Sequence, residues 1–242
     1  MDFPINLFDS IIACCIAAVG ATLQGSIGFG LGLIAVPLLV LINPIFIPGP
    51  LLLAALSLTL LLSYREHQAI HIKGVKWAIP GRIVGSVIGA CLLTAIPRGN
   101  LSVMFGIMVL LAVAISIIGV DLPLTSLNLF GAAIFSGFMG TTSAIGGAPM
   151  ALVYQRQEGP RIRGTLSAIF VFGTIIALIS LAFIGHFGLK EIQVALVLLP
   201  GTIIGFSLSR WTAQILDRGF IRPAVLAASA VSGIIVIIRS II

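Results

Sequence analysis

The chain has 242 residues, of which 59% are hydrophobic and 8% charged, with a mean hydropathy of +1.24 and a formal net charge of +6. A soluble domain carries about 25% charged residues and needs polar cover, so this composition excludes water as the main solvent and makes lipid the surroundings. The basic residues sit mostly in short loops between apolar runs, where they orient helices in a bilayer, and this excludes nucleic acid as a partner.

The chain starts with MDFPINLFDS, which is acidic and lacks the positive start of a cleavable signal peptide. The first apolar segment is therefore expected to be kept. Apolar stretches follow at 7–42, 48–64, 75–96, 100–119, 124–154, 165–185, 192–212 and 221–242. Six have the length of one spanning helix, about 20 residues. Stretches 7–42 and 124–154 are too long for one straight helix across a ~30 Å core. Each carries a Gly-rich interruption, QGSIGFGLGLIAVP at 24–37 and SGFMGTTSAIGGAP at 136–149. Two helical legs joined by an irregular turn are the natural reading. Such backbone is tolerated at membrane depth only inside protein or beside a cavity.

The two interruptions are copies. A shift of 112 pairs Gly25 with Gly137, Gly28 with Gly140, Pro37 with Pro149 and Pro48 with Pro160. A shift of 120 pairs Pro80 with Pro200, Gly81 with Gly201, Gly85 with Gly205 and Gly99 with Gly219. The turn at 119–123 is the expected joint between repeat one, 1–119, and repeat two, 124–242, within one membrane domain.

Loop charges choose the topology. If each long stretch crosses once, the basic residues split five against seven. If each goes in and returns, one side collects Arg65, Lys73, Lys76, Arg156, Arg161, Arg163, Arg210, Arg218 and Arg222, and the other keeps Arg98, Lys190 and Arg239. The second split follows the positive-inside rule and puts both termini outside the cytoplasm. Each half then makes three crossings plus a hairpin, and the halves enter from opposite sides. The expected fold is an all-α polytopic membrane protein of eight to ten helical segments in two inverted repeats. Charge counting leaves open whether the hairpin legs cross fully.

Paired, Gly/Pro-interrupted apolar segments point to a transporter's binding site. The first tip offers Gln24, Gly25, Ser26, Gly28, Phe29 and Gly30. The second offers Ser136, Gly137, Gly140, Thr141, Thr142, Ser143, Gly146 and Gly147. Glycines let the backbone turn and a ligand approach it. The leg after each break presents free N–H groups and a positive dipole end, which favour an anion. Gln24, Ser26, Thr141, Thr142 and Ser143 add neutral donors, and Pro37 and Pro149 would kink or end the outgoing legs. The competing reading is close helix packing through small residues.

Arg82, in PGRIVGS, is the one basic residue well inside an apolar stretch. It lies about 9 Å deeper than Lys76 along a helix. It could draw an anion toward the tips or snorkel back to the headgroups. No Asp or Glu lies within a span to relay protons, since Asp121 and Glu158 sit at loops. Arg156, Arg161 and Arg163 read as an orientation signal or an anion-gathering vestibule.

Enzyme signatures are absent. Cys14, Cys15 and Cys91 and the three histidines have no metal spacing, so neither metal nor cofactor is expected. Small-residue packing leaves homo-oligomers open.

These residues resemble a family. Gln24-Gly25 ending in Ile34-Ala35-Val36-Pro37, and the second copy ending Gly146-Gly147-Ala148-Pro149 before Arg163-Gly164-Thr165-Leu166-Ser167, look like the two repeats of the TauE/SafE family of sulfite exporter-type transporters. The Pro80-Gly81 and Pro200-Gly201 helices are similar to its repeated PG helices, and the resemblance covers essentially the whole chain. It implies movement of a small sulfur-containing or carboxylated anion across the cytoplasmic membrane. Arg82 and the hydroxyl-rich second break depart from the family pattern, and either could shift the substrate away from sulfite. The expected function is a secondary transporter of a small sulfur or organic anion, an exporter before an importer. A passive anion channel is the alternative, and a non-transporting membrane subunit the third.

Overall fold

The computed structural model describes residues 5–118, 122–216 and 221–241. These form ten α-helices: α1 Leu7–Ile27, α2 Leu31–Ile42, α3 Gly49–Arg65, α4 Ile72–Ala95, α5 Leu101–Ile118, α6 Ser126–Ser143, α7 Gly147–Tyr154, α8 Gly159–Phe183, α9 Leu189–Leu216 and α10 Ile221–Ile241. No strand occurs among the described residues. Residues 119–121 of the expected joint, together with Arg218 and Gly219, lie outside them, as do the side chains of Arg98 and Arg222.

The helices α1, α4, α8 and the Leu189–Ala213 part of α9 are long and apolar enough to cross a membrane. The two overlong stretches each split at the Gly-rich interruption. At 1.5 Å per residue, the 21 residues of α1 reach about 31 Å and the 12 of α2 about 18 Å. The 18 residues of α6 reach about 27 Å and the 8 of α7 about 12 Å. Against a core of about 30 Å, each stretch is one near-complete crossing followed by a short return leg.

Direction follows from contacts at the helix ends. Arg65, closing α3, donates to Gly25 O near the end of α1, so α1 and α3 finish at the same end of the molecule. Gly49, opening α3, lies against His186 and Phe187 at the far end. The leg α2 therefore runs back. Tyr154, closing α7, meets His71 at the start of α4, so α7 returns to the Arg65 end. Lys73, Arg161 and Arg163 share that basic end with Arg65, and Lys190 lies away from it.

The glycines of α4 and α9 are packing devices. A Cβ at Gly201 would overlap Cys14 O, and one at Gly205 would overlap Ala18 O, so α9 lies backbone to backbone on α1. A Cβ at Gly81 would overlap Phe130 O, and one at Gly85 Ile134 O, so α4 lies on α6 in the same way. Close approach of this kind holds membrane helices together where apolar burial alone does not. In both pairs residue numbers rise together, so the paired helices run parallel. The pairing is exchanged: α1 of the first half packs on α9 of the second, and α6 of the second packs on α4 of the first. α3 packs on α8, and α5 on α10. Ile83, Val84, Val87 and Ile88 on α4, and Ile203, Ile204 and Leu208 on α9, face outward, as lipid contact requires.

Two expected registers are corrected. Both breaks begin at a left-handed cap, Gly28 after α1 and Ala144 after α6, which are 116 residues apart (144 minus 28). The expected shift of 112 is one helical turn short, because it matched glycines with different jobs. Likewise Gly49-Pro50 opens α3 as Gly159-Pro160 opens α8, so Pro50 and not Pro48 is the counterpart of Pro160. Pro37 and Pro149 end neither leg. Pro37 lies within α2, which continues through it. Pro149 is the third residue of α7, where a backbone N–H has no helical partner to lose.

Candidate functional site

The first break is made by two residues that only glycine suits. Gly28 has φ 95° and Gly30 φ 128°. The Gly28 N–H closes α1 on Gln24 O at 2.8 Å. The side chain of Gln24 then serves the next helix, its Oε1 accepting from Leu31 N–H at 3.3 Å. Its amide NH2 has no partner among the described residues. At the second break Ala144 takes the left-handed position with φ 61°, and its N–H donates to Gly140 O at 2.8 Å. Gly146 precedes α7, which has no side-chain cap.

The two breaks touch. A Cβ at Gly32 would overlap the carbonyl of Ala144, and Gly147 lies against the Phe29 side chain. Between them is a cavity of about 40 Å³, space for a few waters or one small ion. The first break contributes Gln24, Phe29, Gly30, Gly32 and Leu33 to its wall. The second contributes Gly140 and residues 144–148. The first turns of α2 and α7 thus bring their positive ends to one space, with the Leu31 N–H already held by Gln24. Leu52, Ala55 and Thr59 of α3, Phe170 and Thr174 of α8 and Arg82 of α4 complete the lining.

Arg82 is 2% exposed, so it points inward and does not snorkel. Its Nη1 donates to Ser136 O at 2.9 Å and to Ser136 Oγ at 2.7 Å, and Ser136 Oγ in turn donates to Gly146 O. The guanidinium carbon lies 5.6 Å from the Phe170 ring centroid. Nε is buried without a partner, and no carboxylate among the described residues lies within ion-pair reach. Gly173 and Gly146 make room for it, since a Cβ on either would strike the guanidinium.

Of the expected site residues, Gln24, Phe29, Gly30, Gly140, Gly146, Gly147 and Arg82 line the cavity. Gly25, Ser26, Gly28, Gly137, Thr141, Thr142 and Ser143 do not. Gly25 packs on Ser209, and Gly137 on the backbone of Arg82. Ser26 Oγ donates to Thr22 O at 2.7 Å and pairs with Thr212. Thr142 Oγ1 donates to Phe138 O and Ser143 Oγ to Met139 O, both within α6. Thr141 Oγ1 is buried without a partner. Thr59, Phe170 and Thr174 were not singled out from the sequence, where they are isolated residues in long apolar helices.

Two broken helices, tip to tip around a buried cation, define a multi-pass helical membrane protein of the transporter class. The chain matches the sulfite exporter TauE/SafE family over residues 12–236, a span that includes both breaks, and it belongs to that family. The family is one of exporter-type transporters, not enzymes. No curated protein and no solved structure matches the chain.

Proposed function

We propose that the chain is a secondary transporter that carries a small sulfur-containing oxyanion, sulfite foremost, out across the cytoplasmic membrane. One observation supports the reading: Arg82 is buried at the junction of the breaks with no carboxylate among the described residues to neutralise it. An isolated buried charge is costly, so the site is complete only with an anion. Arg82 supplies the charge, the first turns of α2 and α7 supply N–H donors, and Gln24 supplies its amide NH2. The space of about 40 Å³ suits a compact inorganic oxyanion better than a sulfonate with an organic tail.

The opposed courses of α1 and α6, with their exchanged partners, support inverted repeats that rock about this site. The basic end is the cytoplasmic one. Substrate then enters between the breaks from the Arg65 end and leaves on the opposite side.

Flux in proteoliposomes tests the proposal. Sulfite, thiosulfate, sulfoacetate, taurine, acetate and chloride are compared in wild type, Arg82→Gln, Gln24→Ala and Thr142→Ala. Saturable sulfite flux is expected, lost in Arg82→Gln, reduced in Gln24→Ala and kept in Thr142→Ala. Flux that ignores Arg82→Gln overturns the site. Flux that rises linearly with concentration makes the protein a channel.

A further inference from the structure

Beneath the first break sits a second charged cluster. Arg65 is the last residue of α3, Glu66 caps that helix, and Arg163 lies in the opening turns of α8. One carboxylate oxygen, Glu66 Oε1, accepts the Nε–H of both arginines, each at 3.2 Å. The other arms of the two guanidiniums hold the end of α1. Arg65 Nη2 donates to Gly25 O at 2.7 Å, and Arg163 Nη1 donates to Ser26 O at 3.1 Å. Arg65 Nη1 also donates to Ser209 Oγ on α9 at 2.8 Å. Four helices, α1, α3, α8 and α9, are thereby tied at one point.

The cluster lies beyond the central cavity, toward the basic end of the molecule. Gln24, which lines the cavity, immediately precedes Gly25, whose carbonyl Arg65 grips. Thr59, also in the cavity wall, lies one helical stretch of about 9 Å from Arg65 on α3. Gly28 rests on the backbone of Arg163 and on Ile162. The grip on α1 therefore sits between the cavity and the basic end. The cluster also holds two cations against one carboxylate, so it carries a net positive charge on that route.

We propose that Arg65, Glu66 and Arg163 form a second, transient oxyanion site that gates the cavity at its basic end. Glu66 holds the place of the substrate when the gate is closed. A small oxyanion arriving at that end replaces the carboxylate between the two guanidiniums, whose forked donors suit it, and the break is freed to move. This rests on the reading of the protein as an oxyanion transporter.

The test uses full-length protein in vesicles of known orientation. With Cys14, Cys15 and Cys91 changed to Ser, a Thr59→Cys reporter is labelled by a membrane-impermeant maleimide added to one face at a time. Glu66→Gln should speed labelling from the basic face several-fold and leave the opposite face unchanged. Arg163→Lys, which keeps the charge and loses the fork, should act in the same direction, and it serves if Glu66→Gln fails to fold. Separately, Glu66→Gln should lower the KM for sulfite presented at the basic face several-fold, with the KM at the other face unchanged. Equal changes on both faces, or none, overturn the gate. The labelling needs no transport, so absence of sulfite flux in wild type would sink the transport reading while the labelling still judges the gate.

Discussion

The Arg82 guanidinium and the Ser136 hydroxyl form a two-step tether: Arg82 donates to Ser136 Oγ at 2.7 Å, and Ser136 donates onward to Gly146 O. The buried cation is thus fastened to Gly146, the residue that precedes α7. An anion that draws on Arg82 acts, through one hydroxyl, on the second break. Ser136→Ala should destabilise the protein by about 1.5–3 kcal/mol, the range for a hydrogen bond to a charged group. Thermal unfolding in detergent measures this.

Ligand linkage gives a check independent of flux. Sulfite at about 100 times its Kd should stabilise wild type by about 2.7 kcal/mol and leave Arg82→Gln unmoved. A matching rise in Tm in Arg82→Gln would show that the anion binds elsewhere.

Packing glycines should separate from bystanders. Gly85→Ala drives a Cβ into Ile134 O on α6 and should cost about 1–3 kcal/mol. Gly131→Ala meets nothing within 4 Å and should be neutral or gain up to about 1 kcal/mol in helix propensity. Denaturation midpoints of the two variants, measured side by side, decide it.

The two left-handed caps should differ in their sensitivity to exchange between glycine and alanine. Gly28→Ala places a side chain at φ 95° and should cost about 1–2 kcal/mol. Ala144→Gly relieves that penalty at φ 61° but adds chain freedom of about 0.5–1 kcal/mol, leaving a change of less than about 1 kcal/mol. Folded yield and Tm of the pair report the difference.

His71 sets a pH dependence at the basic end. Partial burial, then the neighbouring Arg161 and Lys73, hold its pKa below the ordinary 6.5. Its native form is therefore neutral where the unfolded chain is already taking up a proton. Stability is fully present above about pH 6.5 and declines as pH falls from there toward the lowered native value. His71→Asn should flatten the Tm profile in that window, and an unchanged profile would assign the dependence to another group.

The breaks could be read from glycine in an apolar run, because nothing else explains Gly28 and Gly30. Their register could not. The sequence pairs Gly28 with Gly140, but Gly140 lies within α6 against the Arg82 guanidinium, while the turn in the second half is made by Ala144. Hydroxyls misled for a similar reason. Ser26, Thr142 and Ser143 satisfy themselves on carbonyls one turn back, a habit of Ser and Thr in helices that leaves no trace in spacing. The direction of Arg82 was undecidable from its own helix. It is fixed by room made at Gly146 and Gly173, far along the chain. Arg65 and Arg163 read as orientation signals because their shared partner, Glu66, and the carbonyls they grip come together only in three dimensions.

The exchanged pairing of α1 with α9 has a consequence for synthesis. The glycine groove that receives Cys14 is at Gly201, which leaves the ribosome 187 residues later (201 minus 14). At about 5–20 residues per second, the first helix waits roughly ten to forty seconds in the membrane without its permanent neighbour. An N-terminal half made alone would never meet that neighbour, whereas two halves made together as separate chains can complete each other.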